Sequence, residues 1–170
     1  MATEILTLDV LADRLPRFGR LIGLDLGTKT IGVATSDVER RIASPLETIR
    51  REKSTTDVRQ LAAIAAKQEA FALVIGLPLN MDGTEGPRAQ ATRSFVRNLD
   101  QHMKLPVIYW DERLSTAAVT RTLIEQDASR TKRAEVVDRM AAAYILQGAL
   151  DRMQRLAQDK NLPDETRQQI

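Results

Sequence analysis

The sequence contains no cysteine and only one histidine, His102. It therefore excludes disulfide bridges, a thiolate zinc site, a cysteine nucleophile and a metal site with several histidine ligands. Aromatic residues make up 4% of the chain, which argues against an extended surface for base stacking. The sequence also lacks a run of about 18 apolar residues and an N-terminal charged-then-apolar signal pattern. We therefore expect a cytoplasmic protein that has no membrane partner.

The composition is that of an ordinary globular domain, with 43% apolar residues, 28% charged residues and a net charge of +2. A chain of 170 residues forms about one domain and can bury its own core. We expect an N-terminal extension over residues 1–19, the main domain over residues 20–157 and a polar tail over residues 158–170. Arginine supplies most of the positive charge, and its planar guanidinium suits phosphate contacts as well as surface ion pairs. The composition thus permits a nucleic-acid partner without requiring one.

The hydrophobic pattern predicts an α/β fold. Short apolar runs bounded by turn residues indicate strands over 21–26, 31–36, 42–49, 71–77 and 106–110. Helical spacing indicates helices over 54–70, 84–102, 115–126 and 134–156, and a short amphipathic run covers 8–15. The first three strands follow one another across short turns, whereas helices separate the later ones. We therefore expect a mixed five-stranded sheet, a three-strand antiparallel meander plus parallel strands, with helices on both faces.

Three acidic positions stand out because they lie in or beside apolar elements. Asp25 interrupts an apolar strand, where a carboxylate without a partner is costly. Asp111 and Glu112 follow the strand over 106–110, and ligands usually meet helix-covered sheets at strand ends. Asp138 lies on the stripe of small and apolar residues with which its helix should pack against the sheet. If these elements are neighbours, the acids form one cluster.

Three carboxylates within a few ångströms repel one another unless a positive charge joins them. A divalent cation with oxygen ligands supplies that charge, and this donor set favours Mg²⁺ or Mn²⁺ over Zn²⁺. The matching reaction is phosphodiester hydrolysis by metal-activated water. Structural interpretations stay open at this point: Asp25 could cap the turn that follows it, and Asp111 could cap the next helix.

Residues 76–88, Gly-Leu-Pro-Leu-Asn-Met-Asp-Gly-Thr-Glu-Gly-Pro-Arg, follow a strand and open a helix. Backbone N–H groups and the helix dipole at such a junction can hold a phosphate, and Arg88 and Arg93 add positive charge. Lys132 and Arg133 precede the helix that carries Asp138, on the side where a nucleic-acid backbone would run. Ordinary loop chemistry explains the glycines of this segment equally well.

Four segments in order resemble the motifs of the YqgF family: GLDLGTKTIGVA at 23–34, GLPLNMDGT at 76–84, DERLST at 111–116 and VDRMAA at 137–142. That family is known as Holliday junction resolvases and as the bacterial nuclease that matures the 5′ end of 16S ribosomal RNA. The resemblance runs from about residue 21 to residue 150 and implies a ribonuclease H-like fold. It also implies that the catalytic, metal-binding acids are Asp25, Glu112 and Asp138.

The resemblance also implies a nucleic-acid partner, an rRNA precursor or alternatively branched DNA, and an association with pre-ribosomal particles. We expect six residues to contact nucleic acid or phosphate: Lys29, Asn80, Arg88, Arg113, Lys132 and Arg133. A monomer and a homodimer are both compatible with the sequence. Family members usually begin close to the first strand, so the role of residues 1–19 is not implied by the resemblance.

Two functions of other classes remain as alternatives. ATP-using proteins of the actin and sugar-kinase superfamily have a phosphate loop that resembles residues 25–32, although they clamp a nucleotide between two such domains. A non-catalytic nucleic-acid-binding assembly factor would use the basic residues alone, and the retained acids at 25, 112 and 138 argue against it.

Overall fold

The structure, a computed structural model, describes residues 3–114 and 130–161. Its strands are β1 (Arg20–Leu26), β2 (Thr30–Ser36), β3 (Ala43–Arg50), β4 (Ala70–Leu77) and β5 (Val107–Asp111). Its helices are α1 (Leu8–Arg14), α2 (Ser54–Lys67), α3 (Pro87–Leu99) and α4 (Arg130–Lys160), and a 3₁₀ turn covers Glu112–Leu114. The helix predicted over 115–126 and the tail beyond 161 lie outside the described residues. None of the helices described is long and apolar enough to cross a membrane.

The strands form one sheet in the order β3-β2-β1-β4-β5. β1 and β2, and β2 and β3, are antiparallel, whereas β4 is parallel to both β1 and β5. This confirms the predicted meander plus parallel strands. The register of β3 shifts opposite Val33 and Ala34, where Ala34 pairs with Pro45. Proline lacks the N–H that a ladder needs, so its place on an edge strand beside a bulge is the expected one.

Helices cover both faces of the sheet, as predicted. Alternate β1 residues Ile22, Leu24 and Leu26 belong to the core formed with α2 and α3. The intervening residues of β1 face α4, and Leu21 belongs to the core on that side. Period-two alternation therefore points Asp25 towards α4, on the same face as Leu21 and Gly23.

Several helix ends differ from the prediction; α4, for example, covers Arg130–Lys160 where 134–156 was predicted, and for two other ends the local reason is visible. α3 begins at Pro87 and not at residue 84, because Pro87 occupies the first helical position, where its missing N–H costs nothing. Thr84 lies instead in the preceding loop, where its N–H donates to Asp82 Oδ1 at 3.0 Å. α2 ends at Lys67, and Glu69 adopts a φ of 53° that no helix continues through.

The segment before β1 contributes to the α4 side of the core. The N–H of Leu6 donates to Val107 O, and the N–H of Val107 donates to Glu4 O, each at 2.9 Å. Residues 4–6 thus run beside the start of β5. Leu11 of α1 is only 1% exposed and belongs to the apolar cluster that α4 forms with the sheet. Residues 3–15 therefore cover part of the edge strand β5 and of α4.

Candidate active site

Asp25 lies near the end of the central strand β1 and is only 1% exposed. On β2 its partner is Gly32. On β4, Leu24 pairs with Ile75, which puts Gly76 beside Asp25 on the other side. Both strands that flank this carboxylate therefore lack a side chain at its level, and other groups can approach it closely.

α4 uses the space at Gly32. A Cβ built on Gly32 would lie 1.9 Å from the carbonyl oxygen of Asp138, so the helix backbone packs directly on β2. The small residues that share a face with Asp138 permit this approach, since Ala141 and Ala142 are at most 2% exposed. The Asp138 carboxylate accepts a hydrogen bond at Oδ2 from Thr30 Oγ1. The helix acid is thus anchored beside the β2 partner of Asp25.

Glu112 uses the space at Gly76. A Cβ built on Gly76 would lie 2.6 Å from Glu112 Oε1 and 2.6 Å from Ile145 Cδ1. The carboxylate of Glu112 therefore lies over the β4 backbone, next to the level of Asp25. The three predicted acids, from β1, from the 3₁₀ turn after β5 and from α4, thus lie on adjacent elements at the end of the sheet where β1 and β4 finish.

The side chain of the neighbouring acid, Asp111, forms an ion pair with Arg113. Arg113 donates from Nη2 to Asp111 Oδ2 at 2.7 Å and from Nε to both carboxylate oxygens. The hydrogen bond from the Arg113 side chain lowers the pKa of Asp111 below its usual value. Of these two adjacent acids, Asp111 is paired with Arg113, and Glu112 is therefore the one whose carboxylate lies over β4 beside Asp25.

The donor set at this edge fits a hard divalent cation in its chemistry, because it consists of carboxylate oxygens. The missing Cβ atoms at Gly32 and Gly76 let α4 and Glu112 come close to the strands on either side of Asp25. Within residues 3–114 and 130–161, however, no three acidic or imidazole side chains are grouped closely enough to hold a metal ion as they stand. Binding one ion with all three carboxylates therefore requires side-chain movement at this edge.

The residues predicted to contact nucleic acid fall into two groups. Lys29, in the β1–β2 turn, and Arg88, in the first turn of α3, are exposed on the side of the sheet edge that carries Asp25. Arg88 lines a small cavity together with Gly27 and Arg51. Lys132 and Arg133 lie in the first turn of α4, but their side chains lie outside the described part of the structure.

Asn80 and Arg113 instead have partners within the protein. Asn80 Nδ2 donates to Thr84 Oγ1 at 2.9 Å, and Arg113 Nη1 donates to Met81 O at 3.2 Å in addition to its bonds with Asp111. Both side chains hold the loop between β4 and α3 in place. Their contact with nucleic acid stays a prediction.

In the same loop, several of the backbone amides that could bind a phosphate are already hydrogen-bonded within the loop. The N–H groups of Asn80 and Gly83 donate to Thr84 O and Asn80 O, at 2.9 and 2.8 Å. With the N–H of Thr84 bound to Asp82, three amides of the loop have partners inside it. An anion at this junction would therefore rely on the first turn of α3 and on Arg88.

The sequence alone does not point to three residues near the site, Thr30, Arg51 and Asp57. Thr30 lies in the glycine-rich motif, but its hydroxyl gives no signal there of a distant partner. Asp57 is 1% exposed, yet an acid in the first turn of a helix is expected from the helix dipole alone. Only the fold shows that Asp57 faces inward and contacts Arg51.

The mixed five-stranded sheet with helices on both faces is the α/β architecture expected of the ribonuclease H-like class, which is the class that the sequence resemblance implies. Residues 19–152 match the family described as "RuvX: Holliday junction resolvase". The chain belongs to this family, and the predicted YqgF assignment is confirmed. It is therefore a member of a family of nucleases, which favours hydrolysis of nucleic acid over the ATP-using alternative.

Curated relatives match almost the whole chain. A protein of Methylocella silvestris named "Putative pre-16S rRNA nuclease" is 65% identical over 159 residues, which are 94% of this chain and 99% of that protein. A protein of the same name from Beijerinckia indica subsp. indica is 62% identical and covers 96% of this chain and 100% of its own length. These alignments are too long to leave out all of residues 1–19, so the relatives share at least part of the segment before β1.

Among solved structures, Thermus thermophilus RuvC in complex with a Holliday junction substrate covers 79% of this chain and 96% of its own. The sequence identity is 14% and the TM-score is 0.49. Similarity at this level does not by itself support a shared substrate.

Proposed function

We propose that this protein is a metal-dependent nuclease that hydrolyses phosphodiester bonds and processes the 5′ end of the 16S rRNA precursor. The observation that supports the proposal is the placement of Asp25, Glu112 and Asp138 on adjacent elements at one end of the sheet, where Gly32 and Gly76 let α4 and Glu112 approach the strands that flank Asp25. The relatives named as pre-16S rRNA nucleases support the choice of substrate.

The three acids of this site are held in place in different ways. Asp25 is fixed by the ladder of the central strand, and Asp138 is oriented by the hydroxyl of Thr30. Glu112 follows β5 in a 3₁₀ turn, so its position depends on that turn. The three carboxylates would hold Mg²⁺ or Mn²⁺, and a cation bound there would supply a nucleophilic water and stabilise the leaving oxygen. Lys29 and Arg88, which are exposed nearby, would contact the phosphates of the bound strand.

A four-way DNA junction is the second candidate substrate, because the family itself is described as a Holliday junction resolvase. Symmetric cutting of a junction needs two active sites, and therefore a dimer. Cleavage of a single RNA strand needs only a monomer. Sedimentation of the protein with and without a junction therefore helps to separate the two substrates. Association with pre-ribosomal particles and a cytoplasmic location stay predictions.

The proposal is tested by a cleavage series with Mg²⁺ or Mn²⁺ on an rRNA precursor fragment and on a four-way DNA junction. We compare the wild type with Asp138→Asn, which keeps an oxygen for Thr30, and with Asp151→Asn, an exposed acid on the same helix. We expect the wild type and Asp151→Asn to cut the RNA and Asp138→Asn to leave it intact. Paired cuts in the junction would favour the second substrate. Wild-type activity of Asp138→Asn would refute the proposed site.

Metal binding has a separate readout in the melting temperature. A ligand that binds only the folded state stabilises it by mass action. We therefore expect Mn²⁺ to raise the Tm of the wild type and of Asp151→Asn more than that of Asp138→Asn. In the absence of metal, Asp138→Asn removes one repelling charge, so its Tm should equal or exceed that of the wild type. Equal responses of all three proteins to Mn²⁺ would contradict the metal site.

A further inference from the structure

Arg51, the residue that follows β3, donates hydrogen bonds to two residues of the turn between β1 and β2, Gly27 and Lys29. Its Nη1 donates to Gly27 O at 2.8 Å, and its backbone N–H donates to Lys29 O at 2.9 Å. The turn itself is closed by the N–H of Gly27, which donates to Thr30 O at 2.9 Å. The conformation of residues 27–30 therefore depends on a side chain that lies outside the turn.

A buried acid holds that side chain. Asp57 of α2 is 1% exposed, and its Oδ2 lies 3.5 Å from Arg51 Nε. Its Oδ1 accepts a hydrogen bond from the N–H of Glu52 at 3.0 Å. The guanidinium also lies over the ring of Phe95, with Cζ 5.7 Å from the ring centroid. The side chain of Arg51 is therefore fixed by α2 and α3 and is only 27% exposed.

The turn contacts the proposed active site at both of its ends. Gly27 follows Asp25 by two residues along the chain. Thr30, at the other end, donates from Oγ1 to Asp138 Oδ2. A shift of the turn would therefore move the ends of both β1 and β2 and release the hydrogen bond that orients Asp138.

We propose that Arg51, fixed by Asp57, is a positioning residue of the active site and acts through the turn at residues 27–30. The inference rests on the proposed nuclease function. Burying an ion pair costs desolvation that the attraction between the charges offsets only in part, so such a pair adds little to stability compared with apolar residues. Its contribution here is geometric, because it fixes the turn that adjoins two of the three carboxylates.

The test compares Arg51→Gln, Asp57→Asn and the double variant Arg51→Gln/Asp57→Asn with Arg59→Gln. Arg59 is an exposed arginine of α2 and serves as the matched control. Four quantities are measured for each protein: the Tm, the exchange rate of the Gly27 amide without metal or substrate, the affinity for the RNA fragment in EDTA, and the single-turnover cleavage rate.

Arg51→Gln leaves the buried Asp57 carboxylate without its ion-pair partner, and Asp57→Asn leaves the half-buried guanidinium without its carboxylate, so both should lose Tm. The double variant is neutral at both positions, and its Tm should return towards that of the wild type. Its Gly27 amide should nevertheless exchange at least about tenfold faster, and its cleavage should be slower by about ten- to a hundredfold, since misplacement by about 1 Å costs that much. Its RNA affinity should stay within about twofold of the wild type. Arg59→Gln should match the wild type in all four measurements.

Two results would overturn the proposal. If the double variant recovers the cleavage rate together with the Tm, the pair of Arg51 and Asp57 contributes only to stability and does not position the active site. A loss of RNA affinity with unchanged Gly27 exchange would make Arg51 a binding residue, which its place beside Arg88 in the same small cavity would then explain. If the wild type cleaves neither substrate, the proposed function fails by itself. Slow Gly27 exchange in the double variant would then still refute the link from Arg51 to the turn.

Discussion

Replacing Gly32 with alanine should push α4 away from the sheet. The new Cβ would lie 1.9 Å from the carbonyl oxygen of Asp138, whereas ordinary contacts of a Cβ begin at 3.4 Å. Helix and strand must therefore separate by about 1.5 Å at this point. The Cβ has no torsion that could move it and its partner is a backbone oxygen, so no side-chain rotation can relieve the clash. The Asp138 carboxylate would move with its helix.

The expected cost of Gly32→Ala has two parts. Overpacking of this kind destabilises a protein by about 1–3 kcal/mol, and in a chain of this size each kcal/mol lowers the Tm by about 2–4 °C. Displacement of Asp138 by more than 1 Å should lower the cleavage rate by about a hundredfold at temperatures where the variant is folded. Thermal melting measures the first part, and the single-turnover cleavage rate at a temperature well below the Tm of the variant measures the second.

Gly86→Ala is the matched control for stability. A Cβ at Gly86 would lie 3.5 Å from the nearest atom, Asn80 Oδ1, so the change should cost no more than about 1 kcal/mol, the scale of a lost N-cap. Should Gly32→Ala melt and cleave like the wild type, α4 would not pack on β2 as described, and the position of Asp138 beside Asp25 would be wrong.

Three further predictions concern the N-terminal segment, an ion pair and the charged surface. In urea denaturation, Leu11→Ala should lower the free energy of unfolding by about 2–4 kcal/mol, because Leu11 is fully buried. Val10→Ala, at a residue 37% exposed, should lower it much less, and equal losses would contradict the packing of α1. The lowered pKa of Asp111 means that its pair with Arg113 stabilises the fold above the unfolded pKa of the acid and is lost as the pH falls through the lower folded value. The difference in Tm between the wild type and Asp111→Asn should therefore shrink as the pH is lowered from 7 to 3, because Asp111→Asn lacks this ion pair at every pH. RNA affinity should fall as salt rises, and Lys29→Ala should reduce the slope of log K against log salt by about 1; an unchanged slope would remove Lys29 from the nucleic-acid surface.

The fold could be predicted where neighbouring residues alone decide the structure. The runs of Leu, Ile and Val in β1 and β2, joined across the turn at 27–30, specify a hairpin without help from the rest of the chain. The bulge at Pro45 follows from the missing N–H of proline. The start of α3 was harder, because the segment from 84 to 87 offers both a threonine and a proline as a start signal, and the loop bonds of Thr84 decide between them.

The site could be predicted in part for the same reason. Asp138 was recognisable because an acid on a stripe of buried residues is poor for stability, and the structure places it against β2. The choice of Glu112 over Asp111 came from the family resemblance, and it agrees with the ion pair that holds Asp111 away. The pair of Arg51 and Asp57 was missed, because neither residue type departs locally from what a turn or a helix start would contain.

In the proposed active site, Glu112 and not the adjacent Asp111 acts with Asp25. The most direct measurement is the single-turnover cleavage rate of Glu112→Gln and of Asp111→Asn on the rRNA precursor fragment, at equal protein concentration and saturating Mn²⁺. Both changes remove one negative charge at adjacent positions of the chain. We predict that Glu112→Gln loses cleavage by more than about a hundredfold, the scale of losing a positioned acidic group, and that Asp111→Asn loses far less. Equal losses, or a larger loss in Asp111→Asn, would contradict the assignment of the active site.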